Sequence, residues 1–186
     1  MILIAYDGSP DANAAIDHAA QLMPGAATTV LTVWEPMSEL FAHPGVLGGP
    51  EPSPAPIGGL GMVDTFGDPK KIDEAREAAA TATAMHGADR ARAAGLDAHP
   101  RRESHGHDLP ATILAVAAGL NADAVVMGTR GPSAAKSFLL GNVSQTVVHH
   151  ADRPVLIVPV ARARRATSEL GRSSDGVGVI DRTVTR

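Results

Sequence analysis

Four short apolar runs punctuate this chain, and most are separated by stretches of helical composition. That alternation admits few folds. Strands that are apolar on both faces must be covered on both faces, which a parallel sheet flanked by helices provides. Residues 2 to 6 (Ile-Leu-Ile-Ala-Tyr) form the first run and end in Asp7-Gly8-Ser9-Pro10. Ser9 is placed to N-cap a helix, with Pro10 at its first position and Asp11 in its first turn. Ile16, Ala19, Ala20 and Met23 then share one helical face, and Pro24-Gly25 stop the helix. Thr28 to Trp34 is β-branched and apolar, a second buried strand. Strand, helix and strand at this spacing imply a right-handed parallel crossover.

The pattern resumes at Lys70, where Ala, Glu and Arg dominate up to Ala94 and Gly95 ends a second helix. Asp97 to Glu103 alternates weakly and is polar, as suits a strand near a sheet edge. Asp108 can cap a third helix whose inner face is Ile113, Leu114, Ala117 and Leu120. Ala124 to Met127 is a fourth buried strand, followed at once by Gly128. Val143, Thr146, Val147 and His150 mark a last helix, and Val155 to Val158 a fifth strand. These elements predict an α/β fold: a doubly wound, five-stranded parallel sheet of the flavodoxin or Rossmann type, with strand order 3-2-1-4-5.

Two segments stand outside that pattern. Residues 36 to 69 hold seven prolines and seven glycines with almost no periodicity. They read as an insert that is either disordered or a lid ordered by a ligand or partner. Residues 160 to 186 carry six arginines against three acids and read as a basic flexible tail. The predicted organisation is therefore one domain over 1–159, containing the insert, followed by the tail.

Composition narrows the function classes. Aromatics are only 3% of the chain, so the core must be aliphatic. The net charge is −4, and without the tail it is −7, which argues against nucleic acid as the main partner. With no cysteine there is no disulfide scaffold, thiolate metal site or cysteine nucleophile. Met1 to Ile4 is apolar with no basic segment before it, and no apolar run approaches the roughly 20 residues of a membrane span. The expectation is a cytoplasmic protein with no membrane partner.

In a doubly wound sheet, ligands bind beyond the carboxyl ends of the strands, where the strand order reverses. Two features converge there: Asp7 after the first strand, and the glycine-bearing stretch Gly128 to Ser144 after the fourth. Gly128 and Gly131 would let the backbone adopt positive φ and approach a ligand closely. Gly141 precedes the last helix, whose first N–H groups are unpaired and carry partial positive charge. A phosphate fits such a place. Ser144 offers a hydroxyl, Asn142 an amide, and Arg130 and Lys136 nearby charge. The stretch is not a Walker loop, because Ala135 stands where the second glycine is needed; nor does DGSPDA after the first strand make a dinucleotide fingerprint. Taken alone, three glycines after a strand also fit a tight turn before an ordinary helix.

The residues Ile4-Ala-Tyr-Asp-Gly-Ser-Pro10, the pattern Gly128-Thr-Arg-Gly131, nine residues, Gly141-Asn-Val-Ser144, and Asp152-Arg-Pro-Val-Leu-Ile-Val-Pro159 together resemble the universal stress protein family. The likeness covers residues 1 to 35 and 70 to 159. Its nucleotide-binding members carry Gly-x-x-Gly, nine residues, then Gly-Ser or Gly-Thr. The resemblance implies ATP or another adenine nucleotide, with Mg2+ as a fitting counter-ion, and a regulatory or stress-response role. Carried over by position, Asp7 and the backbone at Val33 would meet the adenine. Met127 and Gly128 would line the approach to ribose and phosphate. Gly131, Gly141, Asn142, Val143 and Ser144 would hold the phosphates. The resemblance also implies a homodimer through the last strand, Val155 to Val158.

This chain departs from that pattern at Asn142, where the family has Ser or Thr, and at Pro132, which removes a backbone donor. A dimeric interaction protein that binds no nucleotide is therefore the alternative on the same fold. No catalytic residue is predicted. No base or Walker-B carboxylate accompanies the loop, so ATP hydrolysis would at most be slow. His105, His107, His149 and His150 show no convergent ligand spacing, and no metal site is predicted.

Overall fold

A computed structural model describes residues 1–36, 68–105, 108–129 and 141–159. The elements run in the order β1 (Ile2–Ala5), α1 (Pro10–Leu22), β2 (Ala27–Trp34), α2 (Pro69–Ala93), β3 (Asp97–Ser104), α3 (Leu109–Gly119), β4 (Ala124–Gly128), α4 (Asn142–His150) and β5 (Val155–Val158). All four strand pairings are parallel and the sheet order is β3-β2-β1-β4-β5. That is the order the sequence predicts. The expected insert and tail lie largely or wholly outside the described residues.

Side-chain alternation along the central strands divides the core into two layers. Ile2, Ile4, Tyr6, Val30 and Val126 face α1 and α2. Leu3, Leu31, Val125 and Met127 face α3 and α4 with Ile113, Val116, Ala117 and Val147. Both faces of β1 and β4 are dry, which is why these strands read as unbroken apolar runs. Leu114, Leu120 and Met23, placed on inner faces by periodicity, are only partly buried against these layers. On α2 the inward residues are Ala80, Ala84, Ala88 and Ala91, so this helix packs close to the sheet.

The helix ends follow local chemistry. Ser9 caps α1 by accepting from the Ala12 N–H at 3.1 Å, and Asp7 Oδ1 in turn accepts from the Ser9 N–H at 2.9 Å. Asp68 caps α2 and Asp108 caps α3 in the same way. The cap at Asp68 starts α2 one residue earlier than helix-forming composition suggests, at Pro69. Gly25 and Gly95 take positive φ after α1 and α2. The Arg153 guanidinium donates to the carbonyls of Ala117 and Ala122, both at 2.8 Å, tying the end of α3 to the start of β5.

The two sheet edges differ in kind. The outer strand β3 carries Pro100, Arg101, Arg102 and Glu103, residues that discourage further pairing. The strand β5 is Val-Leu-Ile-Val, and its only partner among the described residues is β4.

Candidate functional site

The strand order reverses between β1 and β4, which are direct neighbours with Ala5 opposite Met127. Asp7 and Thr129 therefore emerge two residues beyond this pair, on either side of the switch point. Val33 sits near the carboxyl end of β2, opposite Glu103 of β3. Asp7 is exposed, and its carboxylate shapes the turn into α1 through the Ser9 N–H. Met127 is buried, and Val33 and Val143 are partly buried against the layer under α3 and α4.

Thr129 is the node of the switch point. Its carbonyl accepts from the Gly141 N–H at 2.9 Å and from the Ser144 hydroxyl at 2.9 Å. Its own hydroxyl donates to the Asp11 carboxylate. The chain leaves the sheet at Thr129 and is pinned to the same residue on its return at Gly141. Gly131, Arg130, Pro132 and Lys136 lie outside the described residues.

The start of α4 has a distinctive cap. The N-cap residue Gly141 provides no side chain, and among the described residues no side chain caps the first turn. The other three described helices are all capped by side-chain oxygens, from Ser9, Asp68 and Asp108. The first turn of α4 contains no acid, whereas α1 has Asp11 in its first turn. An anion approaching the switch point thus meets a helix terminus whose own first turn carries no acid to offset its partial positive charge. Asn142 is exposed at the first helical position, beside this terminus.

Two site residues act differently from the expectation. Gly128 is not among the positive-φ glycines of the described residues, which are Gly8, Gly25 and Gly95. It is the last residue of β4, and what its missing side chain makes room for is the start of α1. A Cβ there would lie 2.6 Å from the Asp11 Cβ and 2.8 Å from the Asp11 carbonyl carbon. The Ser144 hydroxyl, expected to face a ligand, is buried and directed to the carbonyls of Thr129 and of Gly141 at 3.0 Å. With its single hydrogen taken up inside the protein, Ser144 has only its backbone N–H to offer an anion.

Sequence reasoning missed the neighbours of Asp7. The Tyr6 hydroxyl donates to Asn13 Oδ1 at 2.9 Å and lies 3.0 Å from His86 Nδ1. One phenol thereby joins β1, α1 and α2 beside the site. Burial pushes the Tyr6 pKa above its ordinary 10.0; the Arg90 guanidinium opposes this and the Asp7 carboxylate reinforces it. Neutral phenol is therefore favoured in the folded state. Tyr6 supports folding fully below pH 10 and loses that contribution as pH rises through its folded-state pKa. Tyr6 is the one tyrosine in the chain, so phenolate absorbance reports it alone. The titration midpoint of the native protein is expected above that of the protein in denaturant. The change Tyr6→Phe is expected to remove this part of the alkaline loss of stability.

Among the described residues, no group of three His, Asp or Glu side chains comes together as a metal site, and no helix is long and apolar enough to cross a membrane.

The fold and site define a class: a doubly wound α/β protein whose switch point presents a helix N-terminus with no side-chain cap from its N-cap residue. The model of the universal stress protein family matches residues 1–55 and 54–159. A relative from Thermus aquaticus, named as a universal stress protein in the QAH/OAS sulfhydrylase 3' region, is 35% identical over 161 residues. That match covers 84% of this chain and 96% of the relative. The chain belongs to the universal stress protein family. Among solved structures, the hypothetical protein MJ0577 is similar with a TM-score of 0.63 at 18% identity, covering 87% of this chain and 96% of that one. A universal stress protein in complex with cAMP is similar with a TM-score of 0.52 at 22% identity, covering 86% and 96%.

Proposed function

We propose that this chain is an adenine-nucleotide-binding universal stress protein of the cytoplasm, with a regulatory or stress-response role. One observation carries the reading: the uncapped, acid-free N-terminus of α4 lies at the switch point, tied through Gly141 and Thr129 to the end of β4. The family membership and the cAMP complex of a relative support the same ligand class. In this proposal the backbone N–H groups of Asn142, Val143 and Ser144 hold phosphate, with the loop containing Gly131. Asp7 and the backbone at Val33 face the base, and Met127 and Gly128 line the path between. ATP is the proposed ligand, with Mg2+ as its counter-ion. In this proposal no described side chain acts as a general base at the phosphates, so hydrolysis would be slow.

The proposal includes a homodimer through β5. That edge is apolar and free of proline and charge, in contrast to β3.

Calorimetric titration with ATP, AMP and NAD tests the reading. Saturable heat with the adenine nucleotides is expected, and a Gly131→Val variant is expected to lose it while keeping its thermal midpoint. Absence of heat and of a thermal shift at millimolar ATP overturns it. A second reading, a dimeric interaction protein indifferent to nucleotide, is favoured by Asn142 and by the internal use of the Ser144 hydroxyl. It is expected to show a stable dimer and no response to any nucleotide.

A further inference from the structure

We propose that Asp11 and Thr129 form a latch that fixes the start of α4, which makes both of them positioning residues for the nucleotide site; this rests on the nucleotide-binding reading above. Asp11 is buried, with 7% of its surface exposed. A buried carboxylate requires partners, and Thr129 is one of them through its hydroxyl. Hydrogen bonds to a charged acceptor are stronger than neutral ones, so this link is a firm one. The carboxylate also sits in the first turn of α1, where the helix dipole offsets its charge.

The same contact is enforced by packing. Gly128, immediately before Thr129, has no side chain, and the backbone of Asp11 and Ala12 occupies that space. A Cβ on Gly128 would come within 3.0 Å of the Ala12 nitrogen. Thr129 is thereby held from one side by α1. From the other side its carbonyl holds Gly141 and Ser144, the first residues of the uncapped helix. The route from Asp11 to the proposed phosphate donors passes through one residue, Thr129. Donors placed to within about half an ångström are what tight anion recognition needs.

The latch makes a prediction opposite in sign to simple electrostatics. A carboxylate near a phosphate repels it, so removing Asp11 would strengthen binding if charge alone mattered. If Asp11 acts by holding Thr129, removing it weakens binding.

The test uses the full chain with ATP as the probe, comparing wild type, Asp11→Ala, Thr129→Val and Thr129→Ser. Affinity is read by calorimetry, folding by thermal midpoint, and the bond from Gly141 to the Thr129 carbonyl by hydrogen exchange at the Gly141 amide without nucleotide. Asp11→Ala and Thr129→Val are each expected to weaken ATP binding by roughly tenfold, the loss of one charge-assisted hydrogen bond. Thr129→Ser keeps the hydroxyl and is expected to bind like wild type. The double variant is expected to be no weaker than the weaker single one, and Gly141 exchange is expected to quicken in Thr129→Val. Unchanged affinity in a folded Thr129→Val, or tighter binding in Asp11→Ala, overturns the latch while leaving nucleotide binding intact. A silent wild type overturns the nucleotide reading itself and the latch with it.

Discussion

Replacing Gly128 with alanine is expected to destabilise the domain by about 3 kcal/mol. The new methyl would lie 2.6 Å from the Asp11 Cβ, 2.8 Å from the Asp11 carbonyl carbon and 3.0 Å from the Ala12 nitrogen. Two of these three atoms are backbone, so no rotamer change relieves the overlap. The start of α1 would have to move off the sheet, loosening Ala12, Ala15 and Ile16 from the core and pulling Asp11 away from Thr129. For a domain whose whole stability is on the order of 10 kcal/mol, that is a large fraction. Denaturant unfolding reads it as a lower midpoint with an unchanged slope. A midpoint equal to wild type would mean that the close approach of α1 to β4 is not as described.

The second large effect has an unexpected sign. Glycine inside a helix is normally improved by alanine, by about 1 kcal/mol. At Gly87 in α2 the same change is expected to destabilise by about 2 kcal/mol instead, because overpacking outweighs helix propensity. A Cβ there would stand 2.6 to 2.9 Å from three ring carbons of Tyr6, including Cγ, which the ring cannot swing away. The ring is also fixed at its far end by Asn13 and His86. Pairing Gly87→Ala with Tyr6→Leu provides the check. The destabilisation by alanine is expected to shrink when the ring is absent, and it would persist if its cause lay within the helix.

These two glycines show where sequence reading reaches its limit. The strand order was legible because buried parallel strands such as Ala124 to Met127 appear as apolar runs, and because Ser9, Asp108, Gly25 and Gly95 mark helix ends by local chemistry. The contacts of Gly87 and Gly128 are not local. Gly87 meets Tyr6, just beyond β1, and Gly128 meets the first turn of α1. Asp11 could be read as a first-turn acid, but its bond to Thr129 spans 118 positions. The Tyr6–His86 contact spans 80. A serine near a helix N-terminus reads as a donor to a ligand, as Ser144 does. Only the return of the chain past Thr129 shows where that hydrogen goes. The switch point itself was legible, since strand order alone placed Asp7 beside the loop after β4.

The most direct test of nucleotide binding at this switch point is a backbone amide NMR titration of the full chain with ATP. The expected result is saturable shifts concentrated at Gly128, Thr129 and Gly141 to Ser144, with smaller ones around Asp7 and Val33, while β3 stays unmoved. No shift at millimolar ATP, or shifts confined to surfaces away from the start of α4, would contradict it.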